Sequence, residues 1–232
     1  MSGTNIAISV LVGGTCGVLL EELAEIAGAI EDAVRSANLS MDVKRGDPGS
    51  WPQELGCIDS PDTILSKATR APSRQVCADA LLALMCGNAR QNCLEGVYLF
   101  LTIHDDLTCR KPAEGYYSFV FGSSGFPSSR KRFAVLSTWR FRDYTDDRLR
   151  FLRTMAQHEF GHMLGLVGRE GDGAYAGKDK LYEGHCTNEG CAMKQVLSVC
   201  EVQQVAHESA LLNGPFCDGC RQEISKRFGA FS

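Results

Sequence analysis

The sequence predicts a mixed α/β (α+β) fold built on a twisted, mostly parallel sheet with an antiparallel edge strand. Three observations carry that expectation: a strand-turn-helix opening, three later runs of strand length, and a long apolar helix beginning near residue 145.

Ile6 to Val12 reads as a buried strand, Gly13-Gly14-Thr15-Cys16-Gly17 as a turn, and Leu19 to Ala37 as an amphipathic helix rich in Ala, Leu and Glu. Met41 to Lys44 reads as a short second strand. From Asp47-Pro48-Gly49 to about Pro72 the chain reads as irregular, and Ser73 to Ala89 as a second helix. Val97 to Ile103, Tyr116 to Phe121 and Phe133 to Ser137 are apolar, aromatic or β-branched enough to be strands. Helices between the early strands imply parallel pairing, and the shorter spacing of the later strands permits an antiparallel edge.

A further helix begins near Thr145, a residue suited to the N-cap, with Asp146 and Asp147 placed to complement the helix dipole. Phe151, Met155, His158, His162 and Gly165 share one face; Leu149, Leu152, Ala156, Phe160 and Met163 lie on another, as expected of a helix buried between layers. Glycines at 168, 171, 173, 177 and 184 end it in a charged loop, after which Val196 to Leu212 and Arg221 to Phe228 read as helices.

At 232 residues and 44% hydrophobic content the chain can bury one sizeable core. A single domain follows, with an N-terminal sheet lobe over 1–165 that includes the long helix and a small C-terminal lobe over 166–232. The net charge of -4 comes from 24 basic and 28 acidic residues dispersed along the chain, without the basic stripe that nucleic acid requires. No apolar run reaches the length of a membrane span. The apolar segment from Ile6 to Leu20 has no Lys or Arg before it and is interrupted by glycines, so a strand explains it better than a signal peptide. These features predict a soluble, cytoplasmic protein. Eleven cysteines are many for such a compartment, and clustered cysteines there more often bind metal than form disulfides.

His158-Glu159-Phe160-Gly161-His162 is an HExxH segment, and its four-residue spacing on a helix puts both imidazoles within reach of one ion. Zinc at such a site takes a third protein ligand and keeps a position open for water, whose proton a neighbouring carboxylate can accept; Glu159 stands in that place. Gly165 extends the segment to HExxHxxG, a glycine that lets the chain turn sharply out of the helix. Three residues on, where a third His completes the longer pattern, stands Gly168. Candidates for the third ligand are His185, whose position the Cys-anchored segment after it would fix, and Asp172 or Asp179 in the loop. Cys186, Cys191, Cys217 and Cys220 form Cys-x4-Cys and Cys-x2-Cys pairs able to close a four-thiolate structural zinc site. Cys217 and Cys220 could instead be a redox pair, and Cys200 lies between the two pairs as a further candidate ligand.

HEFGHMLG, HCTNEGCAM and CDGC together resemble the signature of the archaemetzincins, which joins an HExxHxxGxxH motif to HCx4CxM and a later CxxC. Asp106-Leu107, Phe119-Val120-Phe121-Gly122 and Ala134-Val135-Leu136-Ser137 are similar to the strand motifs upstream of that family's active-site helix. The likeness extends from about Val97 to Cys220. It implies a metzincin-like fold and two zinc ions per chain: a catalytic one held by His158, His162 and His185, and a structural one held by Cys186, Cys191, Cys217 and Cys220. It further implies that Glu159 is the base, that Met193 forms the Met-turn under the metal, and that the C-terminal lobe is stapled by zinc. The chain departs from the family pattern in an insertion over 168–184 and in a longer stretch between Met193 and Cys217.

The activity so implied is peptide-bond hydrolysis by a zinc metallopeptidase acting on a peptide or protein laid along the sheet edge. The alternative is a zinc-stabilised binding protein with the same scaffold and weak or no catalysis. Other residues carry no function in this reading. His207 reads as a surface residue and His104-Asp105-Asp106 as turn residues at a strand end. Cys77, Cys86 and Cys93 read as small buried hydrophobes, and Gly13 to Gly17 lacks the ending of a phosphate loop.

Overall fold

A computed structural model describes residues 8–52, 59–68, 75–91, 97–111, 116–125, 132–166, 185–210, 212 and 214–228. Strand β1 (Ile8–Gly14) holds Val10, Leu11 and Val12 buried, which suits a central strand covered on both faces. It pairs in parallel with β2 (Met41–Pro48) on one side and β4 (Val97–Ile103) on the other. Between β1 and β2 runs α1 (Leu20–Ser36), started by the Glu22 carboxylate, which accepts the Leu19 backbone N–H at 2.9 Å. β4 in turn pairs in parallel with β8 (Arg132–Ser137), and β7 (Gly122–Gly125) adds antiparallel to β8. The five-stranded order is β2-β1-β4-β8-β7, so the expected parallel sheet with one antiparallel edge is what forms.

Several local expectations are corrected. The stretch expected to be irregular contains α2 (Pro61–Ala68), whose start signal is Ser60-Pro61-Asp62: Ser60 Oγ accepts the Thr63 N–H at 3.3 Å and Pro61 occupies the first helical position. The helix expected from Ser73 begins later as α3 (Ala78–Gln91), because Val76 and Cys77 are drawn into β3 (Val76–Cys77) by parallel pairing with β5 (Leu107–Lys111). The run from Tyr116 splits: β6 (Tyr116–Phe119) pairs antiparallel with β5, making a second, three-stranded sheet in the order β3-β5-β6. The edge strand β7 is Gly-Ser-Ser-Gly, a sequence with no strand propensity that is held by its ladder to β8. Cys93 and the loop acids Asp172 and Asp179 lie outside the described residues.

The chain divides into two compact units, Met1–Ala27 with Ser40–Trp139, and Gly28–Leu39 with Arg140–Ser232. In the first, Leu11, Leu99, Leu101, Phe133 and Val135 of the sheet share one hydrophobic cluster with Leu81 and Met85 of α3 and Ile64 of α2. In the second, α4 (Arg148–Met163) is accompanied by α5 (Val199–Ser209) and α6 (Asp218–Phe228). Asp147, not Thr145, is the N-cap of α4, and its side chain makes no capping bond. From Thr154 to Met163 every residue of α4 is buried, as the two apolar stripes lead one to expect. Arg150 donates to the Ala206 carbonyl at 2.8 Å, and Phe151 packs against Phe141 and Tyr144 with ring centroids 5.9 and 5.7 Å away. These contacts lie within the second unit, which holds α4 together with the C-terminal segment. Among the described residues no helix is long and apolar enough to cross a membrane.

The start of α5 is a complete capping box. Ser198 Oγ accepts the Glu201 N–H at 3.3 Å, and the Glu201 carboxylate accepts the Ser198 N–H at 2.9 Å. Ser198→Ala should therefore destabilise the protein by about 1 kcal/mol, measurable as a lower denaturant midpoint with unchanged slope.

Candidate metal centre

The end of α4 is shaped by one glycine. Gly165 has φ +88, a left-handed conformation that costs glycine little and other residues about 1 kcal/mol or more. With Leu164 as C-cap, the Gly165 N–H reaches the His162 carbonyl at 2.9 Å and the Leu166 N–H reaches the Gly161 carbonyl at 3.0 Å, the paired bonds of a Schellman motif. The turn brings the Leu166 carbonyl back to His162 Nδ1, 3.3 Å away. One turn earlier, His158 Nδ1 lies 2.7 Å from the Ala192 carbonyl. A carbonyl can only accept, so both rings carry their proton on Nδ1 and present a bare Nε2.

Those two Nε2 atoms lie 3.1 Å apart. Burial, and then the neighbouring histidines, hold both rings neutral: His158 is pushed down to about 3 and His162 well below the usual imidazole range. Two neutral lone pairs facing each other at this distance repel unless a cation lies between them. Tetrahedral zinc would separate two nitrogens by about 3.3 Å, close to what the rings show. His185 completes the group, stacked on His158 at a centroid distance of 5.2 Å and edge-on to His162 at 5.1 Å. One ligand atom from each of the three lies within 4.8 Å of the others, so the donor set fits a tetrahedral ion with one position open. Glu159 is 4% exposed, and its Oε2 is buried without a hydrogen-bond partner among the described residues. Burial pushes its carboxyl up to about 8.

The four predicted cysteines also converge, with Cys186 Sγ 3.6 Å from Cys217 Sγ and Cys191 Sγ 3.6 Å from Cys220 Sγ. Sulfurs on tetrahedral zinc would be about 3.8 Å apart, whereas a disulfide needs about 2 Å. Backbone N–H groups of Asn188 and Cys217 point at Cys186 and Cys191 Sγ, the kind of donor that supports thiolates. Hydrogen bonds from neighbouring thiols pull Cys186 and Cys217 down, while the same sharing pushes Cys191 and Cys220 up; without a cation the four cannot ionise together. Cys200 is exposed on α5, outside this group.

Sequence reasoning missed how the two groups are joined. Ala192 receives His158 on its carbonyl and donates its N–H to the Pro215 carbonyl at 2.8 Å, two residues before Cys217. Cys186 donates its N–H to the Met193 carbonyl at 2.8 Å. Met193 is fully buried, and a Cβ at Gly161 would collide with its Sδ and come within 3.1 Å of Phe216. The only signal for this close approach was a glycine inside HExxH. His104 donates or accepts at Thr138 Oγ1, 3.1 Å away, and packs on Trp139; the Asp105 and Asp106 carbonyls accept from Ser137 Oγ and the Val76 N–H, as turn residues do. His207 is exposed on α5, and Cys77 and Cys86 are buried.

The metal-free protein should lose stability at both ends of the pH scale. The depressed histidines make the unfolded chain bind more protons below pH 6.5, so their contribution is present above 6.5 and lost as pH falls toward 3. The raised Glu159 does the reverse: its contribution is full below 4.5 and lost as pH rises through 8. Thermal melts in chelator across this range should show both losses, and Glu159→Gln should remove only the alkaline one.

No protein-family model matches the chain, and no curated protein matches it. Two solved structures resemble it in fold. Archaemetzincin from Methanopyrus kandleri is 20% identical, with a TM-score of 0.61 over 99% of both chains. A zinc-dependent peptidase from Methanocorpusculum labreanum strain Z is 17% identical, with a TM-score of 0.58 over 93% of this chain and 99% of that one. At such low identity the likeness is one of backbone architecture, and it extends over nearly the whole length: the chain has the archaemetzincin fold.

Proposed function

We propose that the protein is a zinc-dependent metallopeptidase with one catalytic and one structural zinc. The observation that carries this reading is the pair of neutral imidazoles with bare Nε2 atoms 3.1 Å apart, with a buried carboxyl between them in sequence that has one oxygen unpartnered among the described residues. His158, His162 and His185 would hold the catalytic ion; Cys186, Cys191, Cys217 and Cys220 would hold the structural one. When bound, zinc supplies a Lewis acid for the scissile carbonyl and lowers the pKa of water toward 7.

The chain's own residues do the rest. The Leu166 and Ala192 carbonyls fix the tautomer and tilt of the two helix histidines, leaving Nε2 as the donor atom on each. Glu159 accepts the proton of the attacking water on its carboxylate and passes it to the departing amine nitrogen. A cation nearby favours the ionised form of this carboxyl, against the burial that raises it. Met193, packed closely against Gly161 on the helix that carries the two histidines, would serve as the Met-turn of the centre. The proposed substrate class is a peptide or protein, in keeping with the M. labreanum structural neighbour, which is named a zinc-dependent peptidase.

Elemental analysis should give two zinc ions per chain. Glu159→Gln should retain both and lower peptide hydrolysis by at least about a hundredfold; parental activity in that variant would overturn the mechanism. His158→Ala should lose one zinc and leave the cysteine-bound ion in place. Gly161→Ala should displace Met193 and weaken metal binding at the histidines by about tenfold or more, readable by competition with a coloured chelator.

A further inference from the structure

Apart from the histidine and cysteine groups, the second unit contains a half-open pocket of about 440 Å³ whose walls, among the described residues, carry three guanidiniums, from Arg35, Arg150 and Arg153, and one carboxylate, Asp32. We propose that this pocket binds a small phosphate-type dianion, free or as a phosphomonoester. Its volume lies in the range of ligand sites and exceeds what one bare phosphate fills, leaving room for a small organic group beside it.

Charge decides the class of ligand. The lining side chains leave a surplus of two positive charges. The last turns of α1, at Ser36, and of α5, at Ser209, also face the pocket, and a helix C-terminus contributes roughly half a negative charge. Even with both subtracted, the described lining remains positive by roughly one unit, which favours an anion and opposes a cation.

The hydrogen-bonding groups agree. Ser36, Thr154 and Ser209 each donate their hydroxyl to a carbonyl of their own helix, at 3.1, 3.1 and 3.2 Å, and so offer a ligand only lone pairs. Donors come instead from the guanidiniums and from an amide. Arg35 holds Asp32 at 2.7 Å and Arg150 holds the Ala206 carbonyl at 2.8 Å, each through one of its five N–H groups. Gln157 is only 7% exposed, lines the pocket, and makes one long bond, 3.5 Å from Nε2 to the Ala29 carbonyl. A buried amide so weakly committed is the group a bound oxyanion would satisfy. Among the described residues the lining contains no aromatic ring that would stack a nucleobase. Asp32, tied to both Arg35 and Arg153, occupies guanidiniums that the ligand would otherwise share.

Titration of the zinc-loaded protein with inorganic phosphate, and separately with glycerol 3-phosphate, tests this by calorimetry against chloride at matched ionic strength. The expected result is saturable binding with millimolar or better affinity, weakened about tenfold in Arg150→Gln by loss of a charge-assisted contact. Arg35→Gln, at a side chain 76% exposed and thus safe for folding, should weaken it several-fold. Asp32→Asn should tighten it, a direction that general damage would not produce. Tighter binding of the ester than of phosphate would assign the pocket to a phosphomonoester; equal binding would assign it to phosphate itself. Absence of saturable binding up to about 10 mM, above the millimolar affinity expected, overturns the proposal. So does binding that is unchanged in Arg35→Gln and Arg150→Gln, which would place the anion on the histidine-bound metal.

Discussion

The bond between His158 Nδ1 and the Ala192 carbonyl is the interaction on which the centre depends. It joins the rigid helix α4 to a segment with little regular structure, and it sets which nitrogen of His158 is bare. Ala192 lies between Cys191 and Met193 and is itself tied to Pro215. The orientation of a ring on one element is therefore held through a loop that the four sulfurs gather. An imidazole in a helix has rotational freedom; one whose far nitrogen is fixed at 2.7 Å has far less.

The same logic applies at the other helix histidine by a different means. There the supporting carbonyl comes from the helix's own terminus, turned back by Gly165. Local chain geometry holds one ring and a long-range contact holds the other. Both devices use backbone carbonyls, which cannot ionise and so keep the ring tautomer fixed across the working pH range.

Much of this was legible in the sequence because it follows from periodicity. The four-residue spacing of His158 and His162, the stripes of α4, and the opening order β1-α1-β2 all report regular structure directly. His185 and the four cysteines could be named because their side-chain chemistry is scarce, and the structure brings each group within 4.8 Å. What stayed hidden was set by pairing rather than by local preference. β7 is a Gly-Ser-Ser-Gly strand because β8 offers it an edge, and Val76-Cys77 leaves the helical pattern because β5 offers it another. α2 was missed for a different reason: its Ser-Pro-Asp start was present but lay inside a stretch dominated by turn residues. Backbone carbonyls carry no sequence signature at all, so the roles of Leu166 and Ala192 could not be read in advance.

The cysteine group has one more consequence, in the statistics of the unfolded chain. Cys191 and Cys217 are 26 positions apart, and an ion holding both closes that interval into a ring. Where such a ring persists in the unfolded chain, as with a covalent link, forbidding its open conformations is worth on the order of 3 kcal/mol in the chain-entropy picture. A metal clip differs from a covalent one in that its closure depends on ligand concentration. The fraction of molecules with α5 and α6 tethered to the His185 segment would then follow the free zinc level, so supply of the ion would govern how much of the population can assemble the three-histidine group.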